Sequence, residues 1–362
     1  MQRSAPLPVA PLMRRFALAL LLLAPLLALA GASGLAAQDE ITVTMVTDTA
    51  GLGDQNFNDL AFRGLTRAEE ELGVTGEVIE SANQAAYVPN LTEAAEQSDL
   101  TVGVGFLLTD AMTAIAEQYP DDSFLIIDAE VEADNVASVL FKEQEGAFLA
   151  GVVAGLTTET NTVGVVGGVE IPPVVRYAVG FEAGVRSVNP EAEVIVAYAD
   201  TFDDPALGRE LTLAQYNQGA DIVFPVAGRT GVGSFDAARE RGEGNWVIAA
   251  DTDQSQLGAE FQLAVATKGV DTALYTVAEQ VVNGEFQGGT QLLGLAEGGV
   301  GLATPGDNAA PEVLAVAEQY EQAIIAGTIV VPATPEELEA FQPVGPDALG
   351  TPGASPAATP SM

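Results

Sequence analysis

The chain reads as an α/β protein built from two doubly wound parallel-sheet lobes, and three observations lead there. Short β-branched runs alternate with stretches whose apolar residues recur at three and four spacing, the pattern of strands separated by amphipathic helices. Ten such runs are more than one ordinary open sheet takes. They also form two similar sets, one ending near Phe141 and one starting near Thr162. With 362 residues and 48% apolar content, there is apolar surface for two packed cores.

In chain order, the first set opens with Ile41–Thr47, almost entirely β-branched, and continues through Glu77–Glu80, Leu100–Val104, Ser123–Ile127 and Ala137–Phe141. Helices are expected over Asn58–Leu72, Tyr87–Gln97 and Thr109–Tyr119, each following a loop with Gly, Asp or Asn. Helix Glu143–Leu156 leads into the second set: Thr162–Val166, Glu193–Tyr198, Ile222–Val226, Trp246–Ala250 and Leu263–Ala266. Its helices are expected over Pro173–Val188, Asp204–Gln218, Gly233–Arg241 and Val270–Asn283. The first lobe is expected to comprise 41–141 plus 267–287, and the second 142–266 plus 288–332.

Composition excludes several functions. Without cysteine there is no disulfide, no thiolate metal site, no cysteine nucleophile and no lipobox anchor. Without histidine there is no serine–histidine–aspartate triad and no HExxH zinc site, and neither metal nor cofactor is expected. Thirteen Lys+Arg against 51 Asp+Glu leave a net charge of −38 with no basic patch, so nucleic acid and anionic membrane surfaces are poor partners. Solvated helix faces account for most of this acidity, with salt adaptation as the second reading.

Residues 1–37 have the order of a secretory signal: Met13-Arg14-Arg15, an apolar run from Phe16 to Ala30, then small residues from Gly31 to Ala37. An uncleaved anchor is the competing reading, since about 20 apolar residues span a bilayer. Both place the folded part outside the cytoplasm. Residues 343–362, rich in Pro, Ala, Thr, Gly and Ser, are expected to form a flexible tail.

In parallel sheets ligands sit beyond the carboxyl ends of the strands. Asp48 follows the first strand, Phe106 the third, Asp128 the fourth, Phe202 the seventh, Gly228 the eighth, Asp251 the ninth and Lys268 the tenth. Carboxylates accept bonds from hydroxyls and aromatic faces cover a flat ring, so the set suits a ring-bearing polyol. Taken singly, each has an ordinary alternative: an Asp after a strand caps a helix or forms a turn, and a lone Phe is core. Lys142 and Lys268 are the only lysines in the chain. Lys142 stands before the helix that opens the second lobe, where pairing at a hinge and surface solvation are both open.

Ile41–Asp59 (ITVTMVTDTAGLGDQNFND) resembles the opening of the basic membrane protein family of substrate-binding lipoproteins, whose purine nucleoside receptors begin with a strand, VTD, a Gly-rich turn and (S/N)FN. Gly103–Ala111 (GVGFLLTDA), Ile126–Asp128 (IID), Ser138–Gly151 (SVLFKEQEGAFLAG), Val163–Gly168 (VGVVGG), Gly180–Gly184 (GFEAG), Gly219–Phe224 (GADIVF), Asp251–Gln254 (DTDQ) and Lys268 are similar to the family's later blocks, in order. The resemblance implies a type I periplasmic-binding-protein fold: two α/β lobes that close on a ligand through a hinge and deliver it to the permease of an ABC importer. It implies a purine nucleoside ligand, with aromatics sandwiching the base and carboxylates and a lysine holding the ribose and base edge. Carried over by motif, the ligand-binding residues are Asp48, Phe57, Asn58, Asp128, Phe202, Gly228, Asp251 and Lys268, to which Phe106 is added from its strand-end position. Phe57 and Phe202 both lie in polar turns where no apolar period runs. The lipobox cysteine is missing, and Arg229, in Ala227–Gly231 (AGRTG), stands where the family usually has a small residue.

Riboflavin or a sugar is the alternative ligand on the same fold. A nucleoside-processing enzyme is the weakest reading, because the adjacent carboxylates Asp121-Asp122 and Asp203-Asp204 sit in turns, point apart and cap helices. The chain is therefore expected to be an extracytoplasmic, non-catalytic monomer. N-terminal sequencing of the exported protein should begin at Gln38; a chain starting at Met1 in the membrane fraction would show the anchor instead.

Overall fold

The computed structural model describes Gln2 and residues 41–349. The signal segment, apart from Gln2, and residues 350–362 of the expected tail lie outside that range. Parallel strands that are apolar on both faces must be covered by helices on both sides. The chain meets this requirement twice.

The first lobe runs β1 (Thr42–Val46), α1 (Phe57–Leu72), β2 (Thr75–Ile79), α2 (Tyr87–Ala95), β3 (Leu100–Val104), α3 (Thr109–Gln118), β4 (Ser123–Ile127) and β5 (Val136–Phe141). After Lys142 the second lobe runs α4 (Glu143–Thr157), β6 (Thr162–Gly167), α5 (Pro172–Val188), β7 (Glu193–Tyr198), α6 (Pro205–Asn217), β8 (Ile222–Val226), α7 (Arg229–Arg241), β9 (Trp246–Asp251), the short α8 (Ser255–Gly258) and β10 (Gln262–Lys268). The chain returns through α9 (Val270–Asn283) and β11 (Gly289–Leu293), then crosses again to β12 (Val300–Ala303), α10 (Pro311–Ile325) and α11 (Pro335–Ala340). The sheet orders are β11-β5-β4-β3-β1-β2 and β12-β10-β9-β8-β6-β7. Every pairing is parallel except that of β12 with β10.

Two expectations are corrected. Residues 267–287 were assigned to the first lobe and 288–332 to the second, yet Thr267 and Lys268 end β10 of the second sheet, and Gly289–Leu293 pairs in parallel with β5 of the first sheet, from Gly289 opposite Ala137 to Leu293 opposite Phe141. This is an exposed edge strand of sequence GTQLL, which lacks the apolar run that marks a buried strand. A third crossing, Leu293 to Val300, therefore joins the lobes in addition to those after Phe141 and Lys268. The expected tail also starts too early: Val344 and Leu349 pack against the main core, and the Tyr320 hydroxyl donates to the Val344 carbonyl at 2.6 Å.

Helices α4 and α5 meet so closely that glycine is needed at the contact. A Cβ at Gly184 would lie 2.0 Å from the Phe148 carbonyl oxygen, and one at Gly151 would lie 2.1 Å from that of Phe181. The obstructing atoms are backbone and cannot step aside as a flexible side chain can. Gly184→Ala should therefore destabilise the protein by about 1–3 kcal/mol, the usual range for overpacking. The measurement is a lowered urea midpoint at unchanged slope; an unchanged midpoint would show that the helices separate freely.

Candidate functional site

Loops beyond the carboxyl ends of both sheets line one cavity, with an empty volume of about 570 Å³ that includes open solvent at its mouth. The structure brings together there all the residues expected from sequence: Asp48, Phe57, Asn58, Phe106 and Asp128 from the first lobe, and Phe202, Gly228, Asp251 and Lys268 from the second. Backbone conformation helps to place them. Asp128 (φ 69°) and Asp251 (φ 61°) leave β4 and β9 left-handed, as Gly228 (φ 53°) does after β8. Aspartate tolerates this region better than most side chains, and glycine tolerates it freely.

The first-lobe wall is organised around two buried carboxylates. Asp54 accepts from the backbone N–H groups of Asn56 (2.9 Å), Asn58 (2.8 Å) and Asp59 (3.1 Å), satisfying donors left free at the start of α1. Asp48 Oδ1 accepts from the Ala50 N–H and from Asn58 Nδ2, both at 2.9 Å. Asn58 Nδ2 also reaches Asp54 at 3.0 Å, while Asn58 Oδ1 is buried without a hydrogen-bond partner. Burial pushes the Asp48 carboxyl up to about 6, against the lowering effect of the Asn58 bond.

On the second-lobe side, the Tyr177 hydroxyl donates to Asp251 Oδ1 at 2.6 Å. With its amide turned so that the nitrogen faces these acceptors, Asn56, from the first lobe, donates to Asp251 Oδ2 (3.1 Å) and the Ala250 carbonyl (2.9 Å). Gln254 Nε2 to the Gln55 carbonyl (3.0 Å) and Arg63 to the Thr252 hydroxyl (2.8 Å) add further bonds between the lobes. Phe202, in the loop between β7 and α6, lies over Gly168, where a Cβ would come within 2.2 Å of its ring. Phe57 is the first residue of α1, and Phe106 begins a single 3-10 turn after β3.

At the junction of the walls, Lys268 is almost wholly buried. Its Nζ lies 2.5 Å from Asp128 Oδ2 and 2.9 Å from Glu143 Oε1. Arg176 Nε in turn donates to Glu143 Oε2 at 2.5 Å. The rings of Phe57, Phe141 and Tyr177 surround the ammonium with centroids 5.2, 5.1 and 5.7 Å away, within cation–π reach. Burial alone would lower the Lys268 pKa, but Asp128, Glu143 and Asp251 outweigh it and hold the amine charged. Burial raises Asp128 to about 6, with Lys268 opposing and Glu143 adding to the rise. Asp128 Oδ1 has no hydrogen-bond partner.

Sequence reasoning missed Asp54, Asn56, Tyr177, Glu143 and Arg176. The first two lie inside the GDQNFND turn already singled out; Tyr177 and Arg176 lie within α5 and carried no signal of their own. Lys142 pairs with Glu145 at 3.4 Å beside the first crossing, which favours the hinge reading over surface solvation. Arg229 pairs with Asp203 at 3.1 Å, both half-exposed, and does not line the cavity.

The family model described as ABC transporter substrate-binding protein PnrA-like, named Bmp, matches residues 41–335. The CD4+ T-cell-stimulating antigen of Listeria monocytogenes is 37% identical over 354 residues, 89% of this chain and 99% of that protein. The ABC transporter nucleoside-binding protein BmpA of Lactococcus lactis is 34% identical over 325 residues, 84% of this chain and 92% of that one. Among solved structures, an ABC transporter solute-binding protein from Aeropyrum pernix superposes with a TM-score of 0.76 at 32% identity, covering 83% of this chain and 96% of that one.

A raised Asp48 pKa means that the folded protein holds the proton more tightly than the unfolded chain does. Its contribution to stability is therefore present below pH 3.8, lost as pH rises to about 6, and unfavourable above that. Asp48→Asn should raise the melting temperature of the ligand-free protein at pH 7, with the gain shrinking towards pH 4. Equal gains at both values would show that Asp48 is not desolvated.

Proposed function

The chain belongs to the Bmp family of PnrA-like ABC transporter substrate-binding proteins, and from that premise we propose that its cleft captures a purine nucleoside outside the cytoplasm and presents it to the permease of an ABC importer. One observation carries this reading: a single cavity combines Phe57 and Phe202 with buried acceptors, Asp128 Oδ1 and Asn58 Oδ1, that have no hydrogen-bond partner. A purine ring offers two faces for stacking and N–H groups at its edge; a ribose offers adjacent hydroxyl donors. Asp128 and Asp251 take the hydroxyls while Lys268 donates back, and Asp48 and Asn58 take the base edge. Bonds to ionised groups of this kind are the stronger ones. The relative named as a nucleoside-binding protein supports the same ligand class.

A ligand that touches both lobes binds the closed arrangement better, and that differential affinity drives closure. Every group in the scheme holds or orients the ligand, so the site is read as binding without chemistry, with one chain completing the cleft.

Calorimetry of the intact protein with guanosine, inosine and adenosine tests this, with mass spectrometry of the recovered ligand to verify that it is unchanged. Phe57→Ala and Phe202→Ala should each weaken binding by about 1–3 kcal/mol, the range for an aromatic stacked on a base, or roughly five- to hundredfold. Failure to bind any nucleoside, or retention of riboflavin or a sugar instead, would overturn the ligand assignment. A variant that unfolds while its folded fraction keeps full affinity would show that phenylalanine to be core.

A further inference from the structure

Glu143 does not line the cavity, yet its side chain is fully buried and lies 2.9 Å from the one ammonium that does. It is the first residue of α4, immediately after the first crossing between the lobes, and Lys268 is the last residue of β10, immediately before the second. We propose that Glu143, backed by Arg176, is a positioning residue that pins the Lys268 ammonium at the cleft and ties these two crossings together. The proposal rests on the reading that Lys268 takes part in ligand binding.

Three features support it. First, Lys268 faces Asp128 across the lobe boundary but Glu143 within its own lobe, so Glu143 keeps the ammonium paired whatever the lobes do. A buried charge left without a partner is strongly unfavourable. Second, Arg176 bonds the far oxygen of Glu143, leaving Oε1 for Lys268. Supporting shells of this kind fix the geometry of groups that touch a ligand. Third, the rings of Phe57, Phe141 and Tyr177 hem in the ammonium, so a lysine released from Glu143 has few other places to settle. The charged and titratable groups around Lys268 are Asp128 after β4, Glu143 on α4, Arg176 and Tyr177 on α5, and Asp251 on β9.

The chain has only two lysines, which makes a direct test practical. In protein labelled with 13C-lysine, the Lys268 side-chain signal, assigned by Lys142→Arg, reports its titration without any ligand. Glu143→Gln should lower the Lys268 midpoint by about one pH unit or more, the scale of a nearby opposite charge. The same variant should weaken guanosine binding about tenfold. It should also move the acid limb of the affinity profile to lower pH, because Glu143 contributes to the raised Asp128 pKa. A purely structural role for Glu143 would leave both the lysine midpoint and the acid limb in place, and that result would overturn the proposal. If the parent protein binds no nucleoside, the ligand reading fails while the lysine titration still decides this one. If Glu143→Gln does not fold, adding Arg176→Gln removes the guanidinium left without its carboxylate while Lys268 keeps Asp128; a parent-like lysine midpoint in the folded double variant, or a double variant that is equally unfolded, would refute the proposal.

Discussion

A single buried ammonium organises the junction of the two lobes. Lys268 ends β10 of the second sheet, Asp128 follows β4 of the first, and Glu143 begins α4 just past the crossing between them. Removing an ammonium from water is unfavourable by several kcal/mol unless charge and geometry compensate. An arrangement of the crossings that separates Lys268 from both carboxylates is therefore penalised beyond what chain connectivity imposes. The third crossing is held near the same place: Glu145 accepts from the Leu295 N–H at 2.8 Å, and the Gly269 N–H donates to the Gly299 carbonyl at 2.8 Å. All three connections converge on a small region of fixed polar contacts.

The acceptor chemistry of the cleft follows from how the strands end. Parallel strands whose carboxyl termini lie side by side bring successive loop residues into one space, and here the charged ones among them are mostly acidic. Asp48, Asp54, Asp128, Glu143 and Asp251 are buried around it, against only Lys268 and Arg176 of opposite sign. Such a site favours ligands rich in N–H and O–H donors and disfavours added negative charge. Phe57 and Phe202 add ring faces to the same lining.

The sequence made the strand–helix alternation and the first-lobe and second-lobe sheets legible because parallel strands buried on both faces read as apolar runs. β11 was not legible for the converse reason: GTQLL is an exposed edge strand, and its place depends on pairing with β5, about 150 residues earlier in the chain. The residues after strands could be chosen from position alone. Glu143 could not, because a glutamate in the first turn of a helix is already explained by the helix dipole, and only the fold shows Lys268 beside it. Tyr177 was hidden likewise: on α5 an amphipathic period accounts for it, and the bond to Asp251 crosses 74 positions in the sequence. The docked segment at Val344 escaped because its composition is that of a linker, while its anchor, Tyr320, lies on a helix upstream.

Partner counts rank the carboxylates of the cleft differently from their sequence positions. Asp251 has both oxygens engaged by protein donors, Tyr177 on one and Asn56 on the other. Asp128 has one oxygen on Lys268 and the other without a partner, and Asp48 takes both its protein donors on Oδ1. A ligand donor arriving at Asp128 relieves a buried unsatisfied acceptor, which is worth more than exchanging one good bond for another. The same donor at Asp251 must displace or share a bond already made, and one of those bonds comes from the opposite lobe. Asp251 is thus at least as much a tie between the lobes as an acceptor open to a ligand. On the nucleoside reading, the discriminating acceptors lie mainly on the first lobe, while closure of the second lobe supplies the aromatic cover of Phe202 and the Asn56–Asp251 bond that holds the cleft shut.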